Sequence, residues 1–348
     1  MLDYISSIAS VADKNLEKQV VNRLNDLTKP QGSLGRLEEF VLRYCLCRGS
    51  AQVAIHNMAL LTFAGDHGIT AENITPYPSD VTAQMVLNMA HGGAAVSVMC
   101  AKAGIEYAVV DIGVKTGFAD MPGLIKRKVR SGTDNFLRQA AMTADECEKA
   151  IRTGYELGAG SPADLMGAGE MGIGNTSCAS ALYSLLLDMD TETTVGPGTG
   201  SAGALLEKKK AVIAQAVSMH SKEWDGSAFD ALRRVGGLEI AGIAGLIFGC
   251  ASRRIPVVVD GFIASSAACV AIRMNPHVKD YIFFSHVSYE TFHAAYLQNE
   301  GIRPILSLDM RLGEGTGAVL AMQIIAQAME CYTKMATFGS AGVAGKIE

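Results

Sequence analysis

The stretch LMGAGEMGIGNTSCASALYSLLLD, residues 165–188, decides how the chain is read. It opens as a short apolar run punctuated by glycine, passes one carboxylate, and ends in a run whose apolar residues recur at helical spacing. A buried strand, a glycine-rich turn and a helix in that order make half of a βαβ unit. The same order repeats along the chain. MALLTFAGDHG (58–68), IEYAVVDIGV (105–114), IPVVVDGF (255–262) and YIFFSHVS (281–288) read as buried strands that contain or end in Gly, Asp, Ser or His. Between them VTAQMVLNMAHGGAAVSVMCAKAG (81–104), ADECEKAIRTGYELG (144–158), LLEKKKAVIAQAVSMHS (205–221) and GLEIAGIAGLIFGCA (237–251) read as helices. This alternation predicts an α/β fold, a parallel sheet covered by helices on both faces, with ligands at the carboxyl ends of the strands. Residues 1–50 contain no clear strand, and Gly317 to Lys334 reads as one long helix, so the two ends are expected to pack together as a small helical unit.

Composition narrows the function. With 348 residues, 49% of them hydrophobic, the chain can bury a large core in one domain with a smaller attachment. Only 19% are charged and the formal net charge is −5, so no basic field exists to hold a nucleic acid. Eight cysteines are scattered without a paired C-x-x-C, which predicts reduced thiols filling a cytosolic core. The longest apolar stretch, Ile240 to Ala251, is broken by glycine and falls short of the ~20 residues of a membrane span. The opening MLDYISSIASVADKN carries Asp3 and Asp13 and lacks the basic-then-apolar layout of a signal peptide, so a cytoplasmic location is expected. No internal repeat is present.

GAGEMG (167–172) satisfies G-x-G-x-x-G, which admits an NAD-dependent oxidoreductase as an alternative if the pattern follows a strand. Packing of helix on strand is the plainer use of those glycines. Neither a G-x-S-x-G elbow nor a P-loop occurs, and Asp66, His67, Asp260, His286 and His293 lack metal-ligand spacings, so no metal is expected. The two glutamates are more informative. Glu170 in GAGEMGIGNTS (167–177) and Glu314 in LGEGTGAVLA (312–321) each stand among glycines just before a helical run. Glycine lets a ligand approach the backbone, and amides at a helix start suit a phosphate monoester. Together they suggest a phosphorylated sugar held beside a carboxylate base.

Eight motifs, in order along nearly the whole chain, carry a family resemblance. They are KPQGSLGRLEE (29–39), FAGDHGI (63–69), YPSDVTAQMVLN with GGAA (77–95), GEMGIGNTS (169–177), GPGTG (196–200), DGFI (260–263), SHVSYE (285–290) and LGEGTGA (312–318). As a set they resemble the nicotinate-nucleotide:dimethylbenzimidazole phosphoribosyltransferase family. The resemblance implies transfer of 5-phosphoribose from nicotinate mononucleotide to 5,6-dimethylbenzimidazole or a related aromatic base. The products are an α-ribotide and nicotinate, for assembly of the cobamide lower ligand. It also implies a Rossmann-like parallel sheet (51–316), a small helical domain from both ends (1–50 plus 317–348), a homodimer, and no cofactor.

Nicotinate leaves from a pyridinium, so its departure neutralises the ring and needs no general acid; one base suffices. By motif, Glu314 is implied as that base, and Glu170 as a second polar contact or partial substitute. Gly172, Gly174, Asn175, Thr176, Gly198, Thr199 and Gly200 are implied as the donor cradle. Lys209 is its candidate cation, although the run Lys208 to Lys210 equally suits a solvated helix face. Asp260, Ser285 and Ser288 are expected to line the same cavity, and Gln84, Met85 and Leu312 the acceptor wall. KPQGSLGRLEE is expected either to reach a neighbouring subunit's site or simply to turn before a helix. Phe292 stands where a glycine is expected, which predicts a reshaped wall and leaves acceptor choice open. A non-catalytic nucleotide-binding homologue is a further alternative.

Overall fold

In the computed structural model, which describes residues 3–344, the strand predicted from LMGAGEM is present at Leu165–Met171. Residues 1–2 and 345–348, part of the expected helical unit, lie outside the described residues. Six strands, β1 (Met58–Gly65), β2 (Glu106–Gly113), β3 (Leu124–Lys126), β4 (Leu165–Met171), β5 (Val257–Val259) and β6 (Ile282–Phe284), form one sheet in the order β3-β2-β1-β4-β5-β6. Every neighbouring pair is parallel. This is the Rossmann-type order, and it reverses between β1 and β4, where a crevice opens beyond the carboxyl ends of the strands. Two residues each of β7 (His286–Val287) and β8 (Leu306–Ser307) add a small parallel ladder. Neither β3 nor β8 was evident in the sequence pattern.

Side chains alternate between the faces of the sheet. Leu60, Val109, Leu165, Val258 and Phe283 point to one buried cluster, while Leu61, Val110, Met166, Val259 and Phe284 point to the other. The first cluster includes residues of the helices Lys14–Asp26, Arg36–Arg48 and Thr316–Lys334, so these helices from the two ends pack on one face together, whereas Ile5, Ile8 and Val11 join the opposite cluster. Arg23 ties them by donating to the carbonyls of Tyr332 and Thr333 at 3.0 and 3.1 Å.

The opposite face carries the helices Ala144–Ala159, Asn175–Leu187, Leu238–Ser252 and Phe262–Met274. The first starts at a capping box in which the Thr143 hydroxyl accepts the Glu146 amide and Glu146 accepts the Thr143 amide. Ala144–Ala159 and Leu238–Ser252 meet backbone to backbone through Gly154 and Gly158 on one side and Gly242, Gly245 and Gly249 on the other. A Cβ at Gly158 would sit only 2.7 Å from the Leu246 carbonyl oxygen. The helical run expected over 81–104 is two helices, Asp80–Ala90 and Ala95–Ala103. Between them the chain turns through Gly92 at φ 83°, a left-handed conformation that ends the first helix.

Candidate active site

Glu170 is carried to the crevice by β4, beside Phe63 of β1. The chain then turns through Gly172 and Gly174 into the Asn175–Leu187 helix, with Gly174 left-handed at φ 97°. The turn lies close on its support, since a Cβ at Gly172 would come within 2.8 Å of His67 Nε2. Asn175 Nδ2 donates to Glu170 Oε2. Burial, reinforced by the carboxylates of Asp260 and Glu239, pushes the Glu170 pKa up to about 8 despite that hydrogen bond.

Glu314 is held differently. Gly313, Glu314 and Gly315 are consecutively left-handed, at φ 83°, 66° and 107°. For glutamate this conformation is costly, and the surroundings impose it. Thr62 Oγ1 donates to the Glu314 carbonyl at 2.6 Å. Asp260 accepts the amides of Gly315, Gly317 and Ala318 at 3.0, 2.8 and 3.2 Å. The Glu314 carboxylate receives the Val96 amide at the start of the Ala95–Ala103 helix, and its Oε2 has no hydrogen-bond partner among the described residues. Burial dominates over the Val96 hydrogen bond and, aided by Asp260, raises the Glu314 pKa above its ordinary value.

A cleft of about 610 Å³ opens at Glu314, walled by Tyr77, Val81, Met85, Met171, Ile173 and Leu312. A narrower recess of about 70 Å³ adjoins it, bounded by Glu170, Gly172, Asn175, Thr176, His286 and Ser288. Gly198, Thr199, Glu290, Arg311 and Leu312 border both, so the two spaces are one site. Gly200 borders the wider part. An apolar slot ending in a carboxylate suits a flat aromatic base, and the glycine-lined recess suits a phosphorylated sugar.

Several expected residues support this site from behind. Lys209 is buried, and its Nζ donates to Thr176 Oγ1 at 2.9 Å and the Gly196 carbonyl at 3.0 Å. Burial lowers its pKa to about 8. The solvated-face reading therefore holds for exposed Lys208 but not for Lys209. Asp260 and Ser285 are fully buried and do not line the cavity. Asp260 instead grips the Glu314 loop, and the Ser285 hydroxyl donates to the Asp260 carbonyl at 2.8 Å. Gly174 acts through its backbone geometry at the helix start.

Two expectations are corrected. Gln84 is exposed and absent from the cleft wall. Consecutive helix residues point about 100° apart, so with Met85 facing the cleft Gln84 falls to the side. Phe292 does not reshape the wall either, because it is buried against Tyr183 with ring centroids 5.3 Å apart. The oxidoreductase alternative fails on geometry. Gly167 and Gly169 lie inside β4, where they admit Leu60, Met322 and the Glu314 backbone, not in a turn able to cradle a pyrophosphate. KPQGSLGRLEE forms a turn leading into the Arg36–Arg48 helix and is braced by a Lys29–Glu38 ion pair of 2.8 Å.

Some residues of the site were missed. His286, Glu290 and Arg311 all border it. His286 and Glu290 stand inside SHVSYE, so the motif carried the signal. Glu290 Oε2 is buried without a hydrogen-bond partner among the described residues; burial raises the Glu290 pKa, opposed by Lys209 and the Gly198 amide. Beneath the Gly172 turn, His67 joins Cys178 and Glu239, three residues that no sequence pattern groups. Among the described residues no helix is long and apolar enough to cross a membrane.

Comparison with known proteins gives a consistent picture. A family model described as "Phosphoribosyltransferase" matches residues 9–343. The chain is 48% identical over 350 residues to a nicotinate-nucleotide–dimethylbenzimidazole phosphoribosyltransferase of Chlorobium chlorochromatii, covering 100% of this chain and 99% of the relative. A protein of the same name from Geobacter metallireducens is 45% identical, with 99% and 98% covered. Among solved structures, CobT from Thermus thermophilus superposes with a TM-score of 0.89 at 40% identity, covering 95% of this chain and 99% of that one.

Proposed function

The chain belongs to the nicotinate-nucleotide–dimethylbenzimidazole phosphoribosyltransferase family, and from that premise we propose how its site performs the transfer. The protein moves 5-phosphoribose from nicotinate mononucleotide to 5,6-dimethylbenzimidazole or a related aromatic base. The donor phosphate and ribose occupy the recess bordered by Gly172, Asn175, Thr176, Gly198 and Thr199, with Gly174 setting the turn beneath it and Gly200 bordering the adjoining cleft. Lys209 supplies a positive charge behind Thr176. The acceptor ring enters the wider cleft between Met85 and Leu312, with one ring nitrogen toward the ribose and the other toward Glu314.

The chemistry follows from the charges. One acceptor nitrogen forms a bond to the anomeric carbon while the bond to the pyridinium nitrogen breaks, its electron pair returning to the nicotinate ring. The N–H on the other acceptor nitrogen becomes acidic as this proceeds, and Glu314 takes that proton. Attack comes from the face opposite the leaving group and gives the α-linked product. Glu170, with its pKa at about 8, is protonated at neutral pH. It therefore serves as a hydrogen-bond donor orienting substrate, and as a substitute base only in alkaline solution. Ser288 borders the recess and contributes to donor binding. The observation that carries this reading is that Glu314 borders an apolar cleft while its buried Oε2 has no hydrogen-bond partner among the described residues.

The same proposal includes a homodimer in the cytoplasm, built from an α/β unit (51–316) and a helical unit from the two ends. It needs no cofactor. The intact Glu314 loop favours catalysis over a binding-only homologue. The test is release of nicotinate from nicotinate mononucleotide that depends on an added benzimidazole, with the product identified as an α-ribotide by NMR. No turnover with any benzimidazole, purine or phenol defeats the proposal.

A further inference from the structure

Thr62 is a polar residue in the middle of a buried strand, with Leu61 and Phe63 on either side and no exposed surface of its own. A hydroxyl in such a place is unfavourable unless it is hydrogen-bonded. It has two partners. Its Oγ1 donates to the Glu314 carbonyl at 2.6 Å, and the Tyr107 hydroxyl, from the adjacent strand β2, donates to it at 3.2 Å. Gly169 stands opposite Thr62 on β4, and a Cβ there would collide with the Glu314 carbonyl oxygen. The sheet therefore has a gap at Gly169 that admits the Glu314 carbonyl and a hydroxyl at Thr62 that holds it.

This contact acts on a residue whose backbone is left-handed without being glycine. Asp260 fixes the amides that follow it, at Gly315 and Gly317, while Thr62 fixes the carbonyl of Glu314 itself. Without the carbonyl anchor the peptide joining Glu314 to Gly315 is held only on its N–H side, by Asp260, so its oxygen end can shift and carry the side chain with it relative to the Val96 amide. A general base displaced by a fraction of a hydrogen-bond length loses much of its effect.

We infer that Thr62, oriented by Tyr107, is a positioning residue for the transfer: its hydroxyl holds the Glu314 carbonyl and so aims the Glu314 carboxylate into the acceptor cleft. This rests on Glu314 acting as the base. The experiment compares Thr62→Val, which keeps the shape and removes the hydroxyl, with Thr62→Ser, which keeps the hydroxyl, and with Tyr107→Phe. Parent turnover of nicotinate mononucleotide with 5,6-dimethylbenzimidazole is measured first; its absence defeats the transferase reading itself. With an active parent, Thr62→Val is expected to lower kcat by about tenfold or more while the KM for nicotinate mononucleotide stays within about twofold. Thr62→Ser is expected to recover most of kcat, and Tyr107→Phe to show a smaller loss of the same kind. A Thr62→Val enzyme with the parent's kcat, or a Thr62→Ser enzyme no better than it, overturns the inference. Should Thr62→Val not fold, Tyr107→Phe decides, and the parent's kcat in that variant overturns it equally.

Discussion

His67 Nε2 lies 3.0 Å from Glu239 Oε1, and both side chains are wholly buried. The other imidazole nitrogen lies 3.1 Å from Cys178 Sγ. Burial alone disfavours a charged imidazole, but facing Cys178 and Glu239 the His67 pKa stands well above its ordinary value. With the imidazole protonated, the two form an ion pair under the turn that carries Gly172. Removing one partner of a buried pair leaves the other charge uncompensated, at a cost of about 3–5 kcal/mol. Glu239→Gln is accordingly expected to destabilise the fold by about that amount in urea unfolding at neutral pH. A loss below about 1 kcal/mol, the range of an exposed pair, would show that the two do not act as an ion pair.

Glu314→Gln tests the proposed base directly. Gln keeps the shape and loses the proton acceptor, so kcat should fall about 10²- to 10⁴-fold with little change in the KM for nicotinate mononucleotide. Because burial raises the Glu314 pKa, the acid limb of kcat in the parent should lie above the ordinary carboxylate range, with rate increasing as pH rises through it. An acid limb at an ordinary carboxylate value, or unchanged turnover in the variant, contradicts the assignment.

Glu170 makes a separate prediction about stability. Its pKa is about 8 in the fold against an ordinary value of 4.5. Below the lower value both states are protonated and the group has no effect on stability. Between the two the unfolded chain gives up the proton while the folded chain keeps it, so stability declines as pH rises, and levels off above about 8. Glu170→Gln removes this penalty. Its melting temperature relative to the parent should therefore be higher at pH about 8.5 than at pH about 4, and an equal difference at both values argues against a buried neutral carboxyl.

Gly245→Ala probes the contact between the helices Ala144–Ala159 and Leu238–Ser252. The added methyl would collide with the Ile151 carbonyl oxygen, backbone that cannot step aside as a side chain does. Separating the helices should cost about 1–3 kcal/mol, read as a lowered urea midpoint at unchanged slope. A variant as stable as the parent would mean that the helices part freely.

The parallel sheet was legible because its strands are short apolar runs ending in polar residues, alternating with helices whose periodicity is clear. The edge strand Leu124–Lys126 was not, because three residues carry no pattern. At the site, Glu170, Thr176 and Glu314 were legible because chemistry and glycine spacing coincide at them. Direction was harder to read. Gln84 and Met85 differ by one position and by roughly a third of a helical turn, and Lys209 differs from Lys208 in the same way. Thr62 and Glu239 sit in ordinary apolar runs, and their partners, Glu314 and His67, are far away in sequence. Nothing local marks such groups, because it is the tertiary fold that gives each buried polar atom its partner.

The rim of the wider cleft has a different character from its floor. Tyr77, Tyr289 and Leu312 are 49%, 60% and 57% exposed, whereas Glu314 is held through its carbonyl by the Thr62 hydroxyl of the sheet. On the proposed mechanism, proton removal is thus tied to the rigid frame of the molecule, and recognition of the incoming ring to its exposed edge. On that mechanism, mutational drift along the edge widens or narrows the diet of aromatic acceptors while the reaction itself stays as it was.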